Sequence, residues 1–455
     1  MLSIALMLLT IVIYIKLNKL QQFTLLSLSA LLPFTYGSFR SIPNFLFIEW
    51  LTAVTLIILL FELAPPFFSG RKTPQIAFNG TGLFLLAIVI LATWSIISIL
   101  NNEIFANQLI SGDQTGTKRT YFNIFNNILL FFTTVIFVSV YFKEINFEKY
   151  FKILLISAIV LGVLRIATHF GGFRIPFMAN LFEYGGEFGS KAAQAKYGGV
   201  AYRLGGLTNI VIVGIPALFA LAVIKGKLNW FALIILFFLL FLSGGRTVLA
   251  GMVFSIIVFA FLLYPRYIIY FAFAGVAFIV ILGITLPDTV IKGQTGRLTK
   301  MSDGSYIGQD NARAMAWKLY LENFEKYPVF GKGIKQYDTF FYTAKEEIRD
   351  FAKYQQFSGG HGSYFSLMST FGIGGLLYFV LMVFGGIILS YRKVRQYSQR
   401  NSYKTGIAVF VLMLLLAKAF DFISGGNGLS VPILFFATGF IASLIVIENG
   451  FSEAD

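Results

Sequence analysis

LTNIVIVGIPALFALAVIKGKLNWFALIILFFLLFLSGGRTVLAGMVFSIIVFAFLLY occupies residues 207–264. It holds three apolar runs, 207–224, 228–243 and 247–264, parted by a short basic turn at Lys225 and Lys227 and by the glycine turn that ends in Arg246. A bilayer crossing needs about 20 mostly apolar residues in a helix, so the stretch reads as consecutive membrane helices. Similar runs at 1–16, 22–37, 44–63, 82–100, 122–142, 151–168, 267–287, 363–390, 405–422 and 430–447 bring the expected total to about thirteen, within a range of about 12–14. Composition agrees: 57% of residues are hydrophobic and 13% charged, against about 25% charged in a soluble domain. The expected fold class is therefore all-α, a polytopic membrane protein forming a single membrane domain over residues 1–455. The opening MLSIALMLLTIVIYIKLNKL lacks a basic leader and a small-residue cleavage site, and reads as a retained first helix rather than a signal peptide.

With no cysteine in the chain, disulfides, thiolate catalysis and cysteine-based metal sites are excluded together. The net charge of +15 would suggest nucleic acid in a soluble protein. Here many of the basic residues lie in short loops between apolar runs, so membrane lipids explain them and no nucleic-acid partner is expected. The loop YRKVRQYSQRNSYK, residues 391–404, carries Arg392, Lys393, Arg395, Arg400 and Lys404 without an acid, which assigns it to the cytoplasm. Alternation then puts Lys16 and Lys19, Arg71 and Lys72, Lys143, Lys149 and Lys152, Lys225 and Lys227, and Arg266 on the same side. Two long polar segments remain outside: a first outer loop at 169–206 and a larger one at 288–362, where function is expected. The second contains Ala314, Trp317, Leu321 and Phe324 at helical spacing, stopped by Pro328 and Gly331, then a second helical stretch from Asp338 to Tyr354. Two short amphipathic helices there would form a lid over a membrane cavity; the alternative is a solvated interhelical loop.

The chain has no HExxH, no GxSxG elbow, no P-loop lysine motif and no Asp-x-Asp pair, so no metal is expected. The outer side offers arginine instead: Arg174 and Arg203 in the first loop, Arg246 in LSGGRTVLAG, and Arg297 and Arg313 in the second loop. Arginine forks match phosphate oxygens bidentately, which points to an anionic ligand such as a lipid diphosphate. The competing explanation is snorkelling to headgroups or pairing with Glu183, Glu187 or Asp310. His361 sits among Gly359, Gly360 and Gly362 at the end of the larger loop, where a neutral imidazole could take a proton from an acceptor hydroxyl. A plain helix cap explains it as well, since no neighbouring carboxylate orients the ring. His169, at the end of an apolar run, reads as interfacial. Lys418 and Asp421 in LLLAKAFDFISGGNG are intramembrane ions, which mark function by default, or else a mutual salt bridge.

Four segments in order, RLGGLTNIVIVGIPAL (203–218), LSGGRTVLAGMVFSIIV (242–258), RAMAWKLYLENFEKYPVFGKGIKQY (313–337) and GHGSYFSLMSTFGIGGLLYF (360–379), resemble the O-antigen ligase and O-antigen polymerase superfamily of bacterial envelope glycosyltransferases. The resemblance runs from Arg203 to Phe379. It implies metal-independent, inverting transfer of a glycan from an undecaprenyl-diphosphate carrier at the outer face of the bacterial cytoplasmic (inner) membrane, with no cofactor beyond the carrier. By resemblance Arg203 and Arg313 take the diphosphate, Arg246 matches a small-residue turn of the family, and His361 is the catalytic base; Arg246 and Arg297 are further candidates for diphosphate binding. Arg174, Trp317, Tyr364, Asp421 and Lys418 are candidates for glycan contact or support. Gly362 follows His361 where such proteins usually carry Asn or Ser, so the hydrogen bond of that side chain is missing here.

A polymerase would join one lipid-linked repeat unit to another, whereas a ligase would move the glycan to lipid A-core. Arg174 to Gly185 and Arg297 to Gly308 fit the Arg-x10-Gly pattern of some polymerases, although Arg203 to Gly214 fits it too. The expectation is polymerase, with ligase second and a flippase or other transporter of lipid-linked sugar third. No internal repeat of the transporter kind is visible. A chain-length regulator is a further candidate partner.

Overall fold

The structure is a computed structural model that describes residues 11–32, 47–68, 80–100, 117–171, 207–243, 245–265, 320–331, 333, 363–424 and 431–450. These residues are helical with no strand among them. In chain order the long helices are α1 Lys19–Leu31, α2 Phe47–Phe68, α3 Gly82–Leu100, α4 Thr117–Tyr141, α5 Phe147–Gly171, α6 Leu207–Lys225, α7 Trp230–Ser243, α8 Arg246–Leu263, α9 Ser363–Tyr397, α10 Ser402–Ser424 and α11 Pro432–Gly450. Short helical stretches add 11–16 and 320–326. Five of these are long and apolar enough to cross a bilayer, over Phe122–Tyr141, Phe147–Ala167, Leu207–Lys225, Ser363–Tyr397 and Ser402–Ile423. Shorter apolar helices lie at Gly82–Ser98, Trp230–Ser243, Thr247–Leu263 and Pro432–Glu448. The chain is an all-α polytopic membrane protein, and the expected span at 267–287 and the helix at 338–354 lie outside the described residues.

Alternation of basic loops is visible as geometry. Lys19 pairs with Glu62 at 2.6 Å and lies over the Tyr141 ring, whose hydroxyl also meets Glu62. Lys225 pairs with Glu148 at 2.8 Å. Lys393 and Tyr397 both reach Glu448, and Lys404 lies over the rings of Tyr397 and Phe142. These contacts bring the ends of α1, α2, α4, α5, α6, α9, α10 and α11 to one end of the bundle, the basic end. Four helices that start there are capped by asparagine: Asn18 accepts from Gln21, Asn146 from Lys149, Asn229 from Ala232 and Asn401 from Lys404. Each such cap satisfies an amide that the first turn leaves without an intrahelical partner. Gly226, at φ +68°, makes the tight turn between α6 and α7.

The core is layered around α10. Residues Ile407 to Ala417 are buried throughout, because α6, α8, α9 and α11 all pack on this helix. A second focus is aromatic: Phe23 of α1 lies 5.0–5.8 Å, between ring centroids, from Phe137, Tyr150, Phe436 and Phe440 of α4, α5 and α11. Outward-facing Leu60, Phe61, Val89, Val160, Phe231, Ile234 and Phe261 stay exposed, as suits side chains whose solvent is hydrocarbon. Lipid tails are as apolar as leucine, so helices hold together by close packing at small residues. Gly251 of α8 illustrates it: a β-carbon there would lie 2.8 Å from Cβ of Phe420 and 3.1 Å from the Ala417 backbone. Gly251→Val is expected to cost about 1–3 kcal/mol by overpacking, seen as a lower unfolding temperature of the detergent-solubilised protein; an unchanged temperature would mean that α8 and α10 do not approach this closely.

Candidate functional site

The end of the bundle opposite the basic end is where α6, α8 and α9 begin and α10 finishes. Lys418, 6% exposed, donates to Asp421 one turn later at 2.8 Å and to Asn209 Oδ1 in the first turn of α6 at 3.2 Å. Its Nζ lies 5.7 Å from the centroid of the Phe422 ring. Phe422 meets Phe379 edge-on at 5.0 Å, and Phe379 in turn meets Tyr364, in the first turn of α9, at 4.7 Å. The Tyr364 hydroxyl donates to the Ala419 carbonyl at 3.0 Å. On another flank Gly251 of α8 lies against Ala417 and Phe420, and Gly245, the N-cap of α8, lies beside Thr208 of α6. The last two turns of α10 therefore gather the opening turns of three helices around one buried ion pair.

The electrostatics of this end differ from those of the other. Helix starts present partly positive amides, and α8 starts after Gly245 with no side-chain cap, where the basic end uses asparagine. Asp421 neutralises Lys418, so the ion pair adds no net charge, and it is the helix starts that favour an anion at this end.

Of the residues singled out from sequence, Lys418 and Asp421 form the mutual salt bridge weighed above, and Asn209 joins it. Tyr364 ties α9 to α10. Arg246 is the first residue of α8. Arg174, Arg203, Arg297, Arg313, Trp317 and His361 lie outside the described residues; in the chain Arg203 precedes Leu207 by four positions and His361 precedes Ser363 by two. Asn209 was legible only as a polar residue early in an apolar run. Arg165, an arginine inside the apolar run at 151–168 with no motif to single it out, is 4% exposed on α5, one turn beyond Gly162, which packs on Leu239 of α7.

The described part of the larger loop joins the same end. Its helix over 320–326 stops before Pro328, as the sequence implies, and the turn that follows docks on α9 and α3. Ile373 donates to the Pro328 carbonyl at 2.8 Å, Gly333 to the Thr370 carbonyl at 2.9 Å, and the Trp94 indole to the Val329 carbonyl at 2.8 Å. At the docking point α9 is broken by Gly372, φ +59° and ψ −142°. The sequence suggests an unbroken span at 363–390; the break arises because the loop backbone, not the helix itself, supplies partners for the groups at Thr370 and Ile373.

A family model described as O-antigen ligase matches residues 231–380. That match supports the O-antigen polymerase/ligase superfamily. The ligase-family stretch takes in nearly all of α7, α8, the turn at 327–331 and α9 past its break, so it holds two of the helices, α8 and α9, whose opening turns pack on the end of α10. Members of the family are membrane glycosyltransferase-like enzymes, and the match supports an O-antigen ligase- or polymerase-type function for this multi-pass membrane protein. Comparison with curated proteins finds no match.

Proposed function

We propose that the protein polymerises glycan repeat units carried on undecaprenyl diphosphate, at the outer face of the bacterial inner membrane and without a metal. The observation that carries this is the packing of the opening turns of α6, α8 and α9 on the last two turns of α10, which carry Lys418 and Asp421, at the end away from the basic loops. Positive-inside bias puts that end outside the cytoplasm. Chain length supports the residue roles. At about 3.3–3.6 Å per residue, two residues tether His361 within about 7 Å of Ser363, and four tether Arg203 within about 14 Å of Leu207. Arg203, Arg313, Arg246 and Arg297 bind the diphosphate and stabilise the charge that develops on it as it leaves. His361 takes the proton from the attacking hydroxyl of the acceptor, the C–O bond forms at the anomeric carbon, and the bond to the diphosphate breaks.

The description of the matched family favours a second outcome, transfer to lipid A-core. The test is the purified protein in proteoliposomes with lipid-linked oligosaccharide extracted from the source cells. Covalent lengthening of that oligosaccharide is the expected result. Transfer only when lipid A-core is supplied would make it a ligase, and passage of unaltered lipid across the vesicle would make it a transporter.

A further inference from the structure

We propose that Trp94 of α3, far from the ligase-family stretch, is a positioning residue for the transfer: it clamps the Pro328–Gly333 turn into the break of α9 and so fixes the helix start that follows His361. The inference rests on the function proposed above.

The break at Gly372 releases backbone groups that an intact helix would pair within itself. In that helix Ile373 would donate to Ser369 and Thr370 would accept from Gly374. Instead Ile373 donates to Pro328 and Thr370 accepts from Gly333. The break lies nine residues into α9, about 13 Å along its axis, where an unpaired backbone group in a membrane protein is costly. Break and turn thus need each other. Gly372 is the residue that permits the approach: a β-carbon there would lie 2.5 Å from the carbonyl oxygens of both Pro328 and Val329, at a φ that L-residues rarely adopt.

Trp94 closes the assembly from the third side. Its indole N–H holds the Val329 carbonyl, its ring lies 6.1 Å from the Phe330 ring, and a β-carbon at Gly374 would overlap the indole. The side chain therefore fills the space between turn and helix. On one side of the clamp α9 runs back nine residues to Ser363, held at its start by Tyr364 on Ala419. On the other, the turn continues the helix of the larger loop. A tryptophan belonging to the first half of the chain thereby sets the relation between the loop and the start of α9.

The experiment compares Trp94→Phe and Trp94→Ala with the parent protein in proteoliposomes, using the same extracted lipid-linked oligosaccharide, with trypsin cleavage after exposed Lys326 followed in parallel. Trp94→Phe keeps an aromatic ring and loses the donor. It is expected to lower kcat by up to about tenfold, the scale of one lost hydrogen bond, with KM for the donor changed less than about twofold, and to speed cleavage. Trp94→Ala is expected to do both more strongly; if it does not fold, Trp94→Phe decides alone. Unchanged kcat in Trp94→Phe overturns the proposal, and so does lowered kcat with unchanged cleavage, because the clamp would then be intact. His361→Ala is run beside them. Full transfer by that variant removes the function proposed above, and the cleavage result then decides whether the clamp exists.

Discussion

His361→Ala is expected to leave a protein that still holds lipid diphosphate and transfers no glycan at a measurable rate. A positioned general base contributes about 10²–10⁴ in rate, and the ion pair at this end does not replace it: Lys418 is a donor engaged with Asp421 and Asn209, and the Asp421 carboxylate receives that lysine. Arginine variants should show the opposite pattern. Arg203→Ala or Arg313→Ala is expected to weaken donor binding itself, since a bidentate charge-assisted contact to phosphate is present before any bond breaks. Binding of undecaprenyl diphosphate and turnover of the lipid-linked oligosaccharide, measured on the same preparations, separate the two. Normal turnover in His361→Ala removes the base, and lost binding in that variant makes the histidine part of the donor site instead.

Lys418→Ala has the largest expected effect on stability. Lys418 and Asp421 have side chains only 7% and 19% exposed, so removing the lysine leaves a carboxylate without its ion-pair partner and the Asn209 oxygen without this donor. Breaking a buried pair from one side costs about 3–5 kcal/mol, whereas replacing both partners by apolar groups is often neutral. The double variant Lys418→Met/Asp421→Leu is therefore expected to melt near the parent, and Lys418→Ala far below it. Thermal unfolding in detergent reads both. Equal unfolding temperatures for Lys418→Ala and the parent would show that this end is open to water, contrary to a packed ion pair holding α6 and α10 together.

How legible this was from sequence depends on whether the signal is local. The turns at Lys225–Lys227 and Ser243–Arg246 punctuate three apolar runs, and α6, α7 and α8 fall within two residues of the expected bounds. The sharing of one end by Lys19, Lys225, Lys393 and Lys404 was also legible, because parity needs only a count of crossings. What stayed hidden were contacts between distant segments. Trp94 reads as one more aromatic residue in an apolar run until Val329, 235 residues later, supplies a carbonyl for it. Gly372 reads as a tolerated helix glycine, since its conformation is imposed by a loop docking from outside the helix. Asn209 has no charge or motif, and only the proximity of α10 gives it a role. The ion pair of Lys418 and Asp421 could be read because its partners are one helical turn apart.

The proposed anion site lies at the end of the bundle where α6, α8 and α9 begin, and a structure of the protein in a lipid nanodisc with undecaprenyl diphosphate bound decides it. The diphosphate is expected at that end, within hydrogen-bonding distance of Arg203 and Arg313 and with His361 facing the place of the acceptor. A diphosphate held at the basic end beside Lys225 or Lys393, or these three side chains on separate faces of the protein, would contradict it.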